Sequence, residues 1–162
     1  MSKQEKVLDS LWYMFNKLIG LNENIMKKSL GEYKPSEVHC IEYIGKNKDA
    51  NVTKLAESFY MTRGATSKLA KKLIAKGLIE SYQKPGNKKE IYYKLTESGW
   101  KIFDIHEKLH TEFSNRDKIV FEGFSEDELD IIIRFAKQYD LHLSNKIEEL
   151  RINYKTGGFE KL

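Results

Sequence analysis

Cysteine is nearly absent from this chain, because Cys40 is the only one among 162 residues. No internal disulfide can form, and we expect a protein of the reducing cytoplasm. Long apolar runs are also missing, since no stretch approaches the roughly 18 residues that a membrane-spanning helix needs. The first ten residues, MSKQEKVLDS, lack the apolar segment of a secretory signal. We therefore expect no membrane partner.

Proline is almost as scarce. Pro35 and Pro85 are the only two, and both lie at expected boundaries between elements. Because proline disrupts helix interiors, long uninterrupted helices can form elsewhere. Hydrophobic residues make up 40% of the chain and charged residues 32%. This balance is typical of a folded domain and argues against general disorder.

The sequence motifs of common enzymes are missing as well. There is no glycine-rich phosphate loop, no nucleophile elbow and no paired-cysteine metal site. The lone cysteine and the four histidines could imitate a Cys-His hydrolase, but the sequence shows no arrangement that makes a histidine the base for Cys40. Because no lysine or arginine is near it in sequence, Cys40 is interpreted as a buried, inert thiol and not as a redox switch. The sequence predicts that the protein is not an enzyme.

The chain does contain a concentrated positive charge, in residues 61–95. Nine lysines and arginines stand there against only Glu80 and Glu90, a net charge of +7, whereas the whole chain carries +4. Such a local excess is typical of a surface that binds a polyanion. The alternative is a winged-helix module that binds another protein without binding DNA, but that function does not require this charge.

A helix-turn-helix is predicted at the start of the basic segment. A short helix, VTKLAESF, with Asn51 or Thr53 as its cap, leads through a turn at residues 60–62 into a second helix at residues 62–76. Four-residue spacing predicts the buried edge of the second helix: Ala65, Leu69 and Leu73.

The other side of the second helix carries side chains suited to duplex DNA. A helix fits the major groove, where its first residues reach base edges and its cations hold phosphates. Specificity is expected from Arg63, Thr66 and Ser67, with Arg63 suited to a bidentate contact with guanine. The predicted DNA-binding residues, from helix and wing together, are Thr62, Arg63, Gly64, Thr66, Ser67, Lys68, Lys71, Lys72, Lys88 and Lys89.

A β-hairpin is predicted to follow this helix. The segments LIESYQ and EIYYKL have strand character, and KPGNKK between them contains the turn residues Pro85, Gly86 and Asn87. Residues 84–90 are interpreted as a wing whose lysines contact phosphates or the minor groove.

Long helices are predicted on both sides of this unit. Residues 4–30 have apolar positions at three- and four-residue spacing, and such a stripe must be buried against something. A further helix is predicted between Pro35 and Gly45, with Ser36 as its N-cap and Gly45 as its end.

Two more helices are predicted after the wing. Thr96 is expected to cap the first, and Ser125 with Glu128 forms a capping box for the second, at residues 126–150. The tail TGGFEKL is predicted to be frayed. The fold class is therefore mainly α with a small β-hairpin wing (α+β), a winged helix-turn-helix between long terminal helices.

The segment LAESFYMTRGATSKLAKKLIAKGLIE, followed after the wing by LTESGWKIFDIHE, resembles the MarR family of bacterial winged helix-turn-helix transcriptional regulators. The resemblance covers essentially the whole chain. It implies one MarR-like domain over residues 1–162, with dimerisation helices at 4–30 and 100–150 and a DNA-binding lobe at 34–99. It further implies a homodimer that binds double-stranded DNA at a palindromic operator, acts as a repressor and is released or tuned by a small effector.

The wing departs from the family pattern at two positions. The family's wing usually carries an aspartate and, two residues on, an arginine, where this chain has Asn87 and Lys89. Lysine retains the charge of arginine but loses the bidentate geometry. The sequence therefore leaves open whether the wing contains the family's internal ion pair. The attraction of the wing for phosphate is still expected.

Histidines are the candidate metal ligands. His106 and His110 lie one helical turn apart on an inward face, which suits zinc. The zinc-responsive branch of the family, by resemblance, adds His39 and an acid from the first helix, Glu23. The alternative is that the histidines line a dimer cleft or are satisfied by Glu42, Glu107 or backbone.

An organic effector is the other candidate ligand. Trp12, Phe15, Tyr43 and Trp100 could line a pocket for an aromatic or phenolic molecule. At helical spacing, however, aromatic residues are more often part of a core. The sequence leaves both interpretations open.

Overall fold

The computed structural model describes the backbone of residues 1–155 and the side chains of residues 1–150. The tail TGGFEKL, with its predicted fraying, lies outside the described residues. The helices are α1 (Lys3–Leu30), α2 (Pro35–Lys46), α3 (Val52–Ser58), α4 (Arg63–Ala75), α5 (Glu97–Asp117) and α6 (Glu126–Lys155), with a 3-10 turn at Lys118–Phe121. The strands are β1 (Ala50–Asn51), β2 (Ile79–Lys84) and β3 (Asn87–Leu95). The predicted fold class is confirmed.

Helix α1 matches the predicted residues 4–30 closely. Its N-terminus has a capping box, in which the Ser2 hydroxyl accepts the Glu5 amide at 3.2 Å and the Glu5 carboxylate accepts the Ser2 amide. The apolar stripe is largely exposed in the single chain: Trp12 and Tyr13 are each 68% exposed.

Helix α2 begins differently from the prediction. Its N-cap is Lys34 and not Ser36, because Pro35 takes the first helical position, where a missing amide hydrogen costs nothing. The carboxylate of Glu37 accepts the Lys34 amide at 2.9 Å and satisfies this end of the helix.

Gly45 does not end α2, which continues to Lys46. This glycine instead permits a close approach between α2 and α5, because an added Cβ would lie 2.5 Å from Cδ2 of Phe103. The packing of α5 on α2 therefore depends on a residue without a side chain at position 45.

The lobe's core lies between α2, α3, α4 and the sheet. Ile41, Leu55, Leu73 and Ile79 are its largest fully buried apolar side chains, and burying each stabilises the fold by about 1.5–3 kcal/mol. Of the two predicted caps of α3, it is Asn51 that accepts the Lys54 amide, at 2.9 Å.

The sheet is antiparallel with strand order β1-β3-β2. The hairpin β2–β3 was predicted, but the third strand was not, because two residues carry no readable alternation. Thr96 then caps α5 as predicted: its hydroxyl accepts the Gly99 amide at 3.1 Å and donates to the Gly77 carbonyl at 2.6 Å.

The chain divides into two compact units, the first ending at Ser114 and the second beginning at Asn115. In the second unit, α6 follows the predicted capping box, with the Ser125 amide donating to the Glu128 carboxylate at 2.9 Å. It continues past the predicted end at residue 150. Among the described residues, no helix combines the length and apolarity needed to cross a membrane.

Candidate nucleic-acid interface

The N-terminus of α4 is presented outward by a short turn from α3. Tyr60 in this turn has a positive φ of 52°, and the Thr62 hydroxyl caps α4 by accepting the Ala65 amide at 3.2 Å. Arg63 and Gly64 are exposed at the helix start. An added Cβ on Gly64 would meet nothing within 4 Å, so this part of the helix can approach a partner closely.

The exposed side of α4 contains most of the predicted DNA-binding residues. Lys68 and Lys71 are exposed and Ser67 is half-buried. Together with Arg63 they follow the helix from its first residue to its middle. A helix in the major groove presents these positions to bases and phosphates.

Thr66 requires a correction. It was predicted to contact bases, but its side chain is only 1% exposed, and its hydroxyl donates to the Thr62 carbonyl at 3.0 Å. The buried edge of α4 consists of Thr66, Ala70 and Leu73, and Ala65 is exposed. The predicted edge is correct at Leu73, and Leu69 is partly buried against the core. It is wrong at Ala65, because alanine and threonine give no clear apolar signal.

Lys72 also has a different partner from the predicted one. Its Nζ lies 2.8 Å from Oε1 of Glu37, in an ion pair without hydrogen-bond geometry, and Lys76 Nζ donates to Oε2 at 2.9 Å. Burial alone would raise the pKa of Glu37, but the two ammonium groups and the Lys34 amide outweigh it and lower the pKa to about 2. Glu37 therefore ties α4 to α2.

The wing turn is built around Asn87. Its side-chain oxygen accepts the amides of Lys89 at 3.1 Å and Glu90 at 3.3 Å. Gly86, at φ 83°, supplies the left-handed residue that the turn requires. Asn87 thus holds the turn by hydrogen bonds, where the family pattern has an aspartate that pairs with an arginine. Lys88 and Lys89 are exposed.

Sequence reasoning missed Asp49, which lies at the base of the wing. Its carboxylate accepts the Tyr82 hydroxyl at 2.8 Å and the Lys84 ammonium at 2.6 Å. The predicted turn lysine Lys84 is therefore engaged within the protein. A lone aspartate before a two-residue strand gave no sequence signal for this contact.

A second cluster lies between α2 and α5. Glu42, His106 and His110 offer ligand atoms that all lie within 4.8 Å of one another. The Nε2 atoms of His106 and His110 are 3.1 Å apart, and His106 is fully buried. Burial lowers the pKa of His106, against the opposing effect of Glu42.

The predicted metal ligands are thus only partly brought together. His106 and His110 are adjacent, but neither Glu23 nor His39 belongs to the group within 4.8 Å; the His39 ring centre lies 6.0 Å from that of His106. The carboxylate in the group is Glu42, because α2 packs against α5 at this level. Glu42 is itself paired with Lys46 at 2.8 Å.

The candidate redox cysteine is buried, and two of the aromatic residues suggested for an effector pocket pack against other aromatic rings. Cys40 is fully buried, and burial raises the pKa of its thiol to about 12, as expected for an inert cysteine. Tyr43 packs against Phe59 and Trp100 against Phe103. Trp12 belongs to the exposed stripe of α1.

Residues 34–91 match the profile of the MarR family. The HTH-type transcriptional regulator PchR of Bacillus subtilis is 35% identical over 103 residues, which are 64% of this chain and 61% of PchR. The HTH-type transcriptional regulator YvnA of the same organism is 35% identical over 100 residues, 62% of this chain and 64% of YvnA. The chain spans just over three fifths of the length of these curated relatives.

Solved structures share the fold. Streptococcus pneumoniae FabT in complex with DNA superposes with a TM-score of 0.77 at 21% identity, covering 88% of this chain and 99% of FabT. A Listeria monocytogenes protein described as a MarR family transcriptional regulator, complexed with a 26mer DNA, gives 0.66 at 21% identity, covering 96% and 97%. At these identities the likeness shows the fold alone.

Proposed function

The chain belongs to the MarR family through residues 34–91, and on that premise we propose that it is a sequence-specific DNA-binding transcriptional regulator acting in the cytoplasm. The observation that carries the proposal is the exposed face of α4, where Arg63, Lys68 and Lys71 follow an open helix N-terminus. PchR and YvnA are named as transcriptional regulators. The chain is not an enzyme.

In the proposed complex, α4 is the recognition helix and enters the major groove. Arg63 is placed to reach guanine and Ser67 a neighbouring base edge. Lys68 and Lys71 hold phosphates beside the groove, and the wing lysines Lys88 and Lys89 hold the flanking backbone. Thr66 and Lys72 leave the predicted set, because the fold itself engages their side chains.

We propose a homodimer formed through the terminal helices. The exposed apolar stripe of α1, which includes Trp12 and Tyr13, supports this assembly, because a stripe of this kind requires a partner. In α6, Ile131 is 55% and Leu141 62% exposed. Two copies would present half-sites about one helical turn, roughly 10 base pairs, apart. Sedimentation of the purified protein as a monomer at micromolar concentration would contradict this assembly.

The proposed sign of regulation is repression, tuned by a small effector. A solved relative in fold is the adhesin competence repressor of Streptococcus pyogenes, with a TM-score of 0.62 at 22% identity. An effector acts by binding the DNA-competent and DNA-incompetent arrangements of the two lobes with different affinities.

Selection from a random-sequence duplex pool tests the DNA-binding function. We expect the wild-type protein to enrich a motif with two-fold symmetry, and its affinity for that motif to fall steeply as salt rises. No enrichment, or binding without salt dependence, would favour the alternative of a winged-helix module that binds another protein.

Zinc is the second candidate, as an effector and not as a catalytic cofactor. The cluster of Glu42, His106 and His110 favours it, because the buried Nδ1 of His106 has no hydrogen-bond partner among the described residues. His106, with its lowered pKa, is neutral at physiological pH, as a zinc ligand must be. The Lys46 ammonium occupies Oε1 of Glu42, which leaves Oε2, 3.8 Å from Nδ1 of His106, as the oxygen that could bind zinc.

Zinc titration followed by elemental analysis tests this candidate. We expect His110→Ala to abolish stoichiometric zinc binding, because it removes one of the three candidate ligands. His110 is exposed, so its loss leaves the core intact. His39→Ala is the matched control, because it removes an exposed histidine outside the cluster. Equal loss of zinc binding in both variants would favour the ligand set implied by the resemblance, which includes His39. A wild-type protein that binds no zinc would contradict zinc as an effector.

A further inference from the structure

Asp49 joins the two outer strands of the sheet. It lies in the turn between α2 and β1 with φ 59°, a backbone conformation that aspartate and asparagine tolerate better than most residues. Its Oδ1 accepts the Tyr82 hydroxyl at 2.8 Å and its Oδ2 the Lys84 ammonium at 2.6 Å. Because both partners are on β2 and β3 lies between β1 and β2, this one carboxylate spans the central strand.

The contact lies where the wing leaves the sheet. Strand β1 pairs with β3 only at Tyr92 and Tyr93, so the hairpin beyond Tyr92 extends without a third strand, and two-stranded hairpins are marginally stable. Lys84 is the last residue of β2, and its Nζ also lies 4.7 Å from the centre of the Tyr92 ring. Asp49 therefore holds β2 at the residue where it enters the turn.

The charge of Asp49 opposes DNA binding by itself. The Lys84 ammonium and the Tyr82 hydroxyl lower the pKa of Asp49, which is therefore ionised at neutral pH. A negative charge beside a polyanion site is unfavourable. Any favourable contribution of Asp49 to DNA binding must act through the position of the wing.

We propose that Asp49 is a positioning residue for DNA binding. By holding Tyr82 and Lys84 it sets the place at which the wing presents Lys88 and Lys89 to the duplex. This inference rests on the proposed function. On this inference, the contact between Asp49 and Lys84 fixes the position of the wing on the sheet. The hydrogen bonds that the Asn87 side-chain oxygen accepts act only within the turn itself.

Asp49→Asn is the most informative variant, since asparagine tolerates the backbone and still accepts the Tyr82 hydroxyl, but has no charge for Lys84. Electrostatics alone predicts tighter DNA binding when a negative charge is lost. Positioning predicts weaker binding, by roughly 3- to 10-fold, to a duplex selected by the wild-type protein. The matched control is Glu80→Gln, which makes the same charge change on the same strand and is expected to bind equally or more tightly.

A double-mutant cycle with Lys88 separates positioning from general damage. We expect Lys88→Ala to weaken wild-type binding, and to weaken Asp49→Asn by a smaller factor. Tyr82→Phe leaves the charge unchanged and is expected to weaken binding in the same direction, but less. Wild-type affinity in Asp49→Asn, or an equal effect of Lys88→Ala in both backgrounds, would overturn the inference and leave the proposed function standing. A wild-type protein that selects no duplex would overturn both.

Discussion

The ammonium nitrogen of Lys72 lies 2.8 Å from the buried carboxylate of Glu37, so an exposed lysine of α4 is paired with a carboxylate of α2. Lys76 joins the same carboxylate at 2.9 Å. The helix proposed to read DNA is thus held against α2 by Lys72 and by its C-cap residue, Lys76. On α4, the positive charge available for phosphates is therefore smaller than the sequence suggests and comes from Arg63, Lys68 and Lys71.

Glu37→Gln is expected to destabilise the protein by about 2–3 kcal/mol, because two ammonium groups lose the carboxylate that pairs with them. Urea denaturation at neutral pH measures the change. Glu97→Gln is the control: Glu97 also pairs with a lysine, but its side chain is 87% exposed, and we expect less than about 0.5 kcal/mol. Equal effects in the two variants would contradict the structural role of Glu37.

Acid should remove the stabilisation that the ionised Glu37 carboxylate gives to the fold. The folded pKa of Glu37 is about 2, below its ordinary value of 4.5, so the stabilisation is complete above the ordinary value and is lost as pH falls toward 2. A shift of this size corresponds to on the order of 3 kcal/mol. Between pH 4.5 and 2 we therefore expect Glu37→Gln to lose less stability than the wild type, and parallel pH profiles would contradict the assignment.

Lys68 and Lys72 are expected to separate DNA binding from folding. Lys68→Ala removes an exposed cation, so the slope of log affinity against log salt should decrease by about 0.9, as for one lost phosphate contact. Lys72→Ala should change that slope less and lower the unfolding free energy instead. Fluorescence anisotropy at several salt concentrations, with parallel denaturation, measures both. The reverse assignment of the two effects would show that Lys72 leaves Glu37 when DNA binds.

Thr66 and Ser67 are adjacent but should behave differently. Thr66→Val keeps the buried shape and removes a hydroxyl that donates to the Thr62 carbonyl. We expect it to cost about 1 kcal/mol of stability with unchanged base preference. Ser67→Ala should leave stability nearly unchanged and alter base preference in a repeated duplex selection. Altered preference in Thr66→Val would return Thr66 to the predicted DNA-binding set.

Much of the fold could be predicted because its signals are local. The capping box of Ser125 and Glu128 lies within four residues, and the glycine of the wing turn lies between two segments rich in strand-forming residues. The helix-turn-helix was found from its apolar spacing and its charge. Such signals depend on residues that are neighbours along the chain.

The rest depended on contacts distant in sequence. Glu37 and Lys76 are 39 residues apart, and Asp49 and Lys84 are 35 apart; no periodicity relates them. The sequence pattern predicts a helix end at Gly45, because a glycine that permits close packing looks the same in sequence as one that stops a helix. Glu42 is predicted as a carboxylate that could satisfy the histidines but not as a metal ligand, because only the packing of α2 on α5 brings it into their cluster.

The affinity of the wild type and of Arg63→Ala for a selected duplex and for a scrambled duplex, measured at one salt concentration, tests the central claim most directly. If α4 reads bases through Arg63, the variant loses about 1–3 kcal/mol on the selected duplex, and its preference over the scrambled duplex shrinks accordingly. Equal losses on both duplexes would contradict base reading by Arg63 and reduce it to a phosphate contact. Equal wild-type affinity for both duplexes would contradict sequence-specific recognition itself.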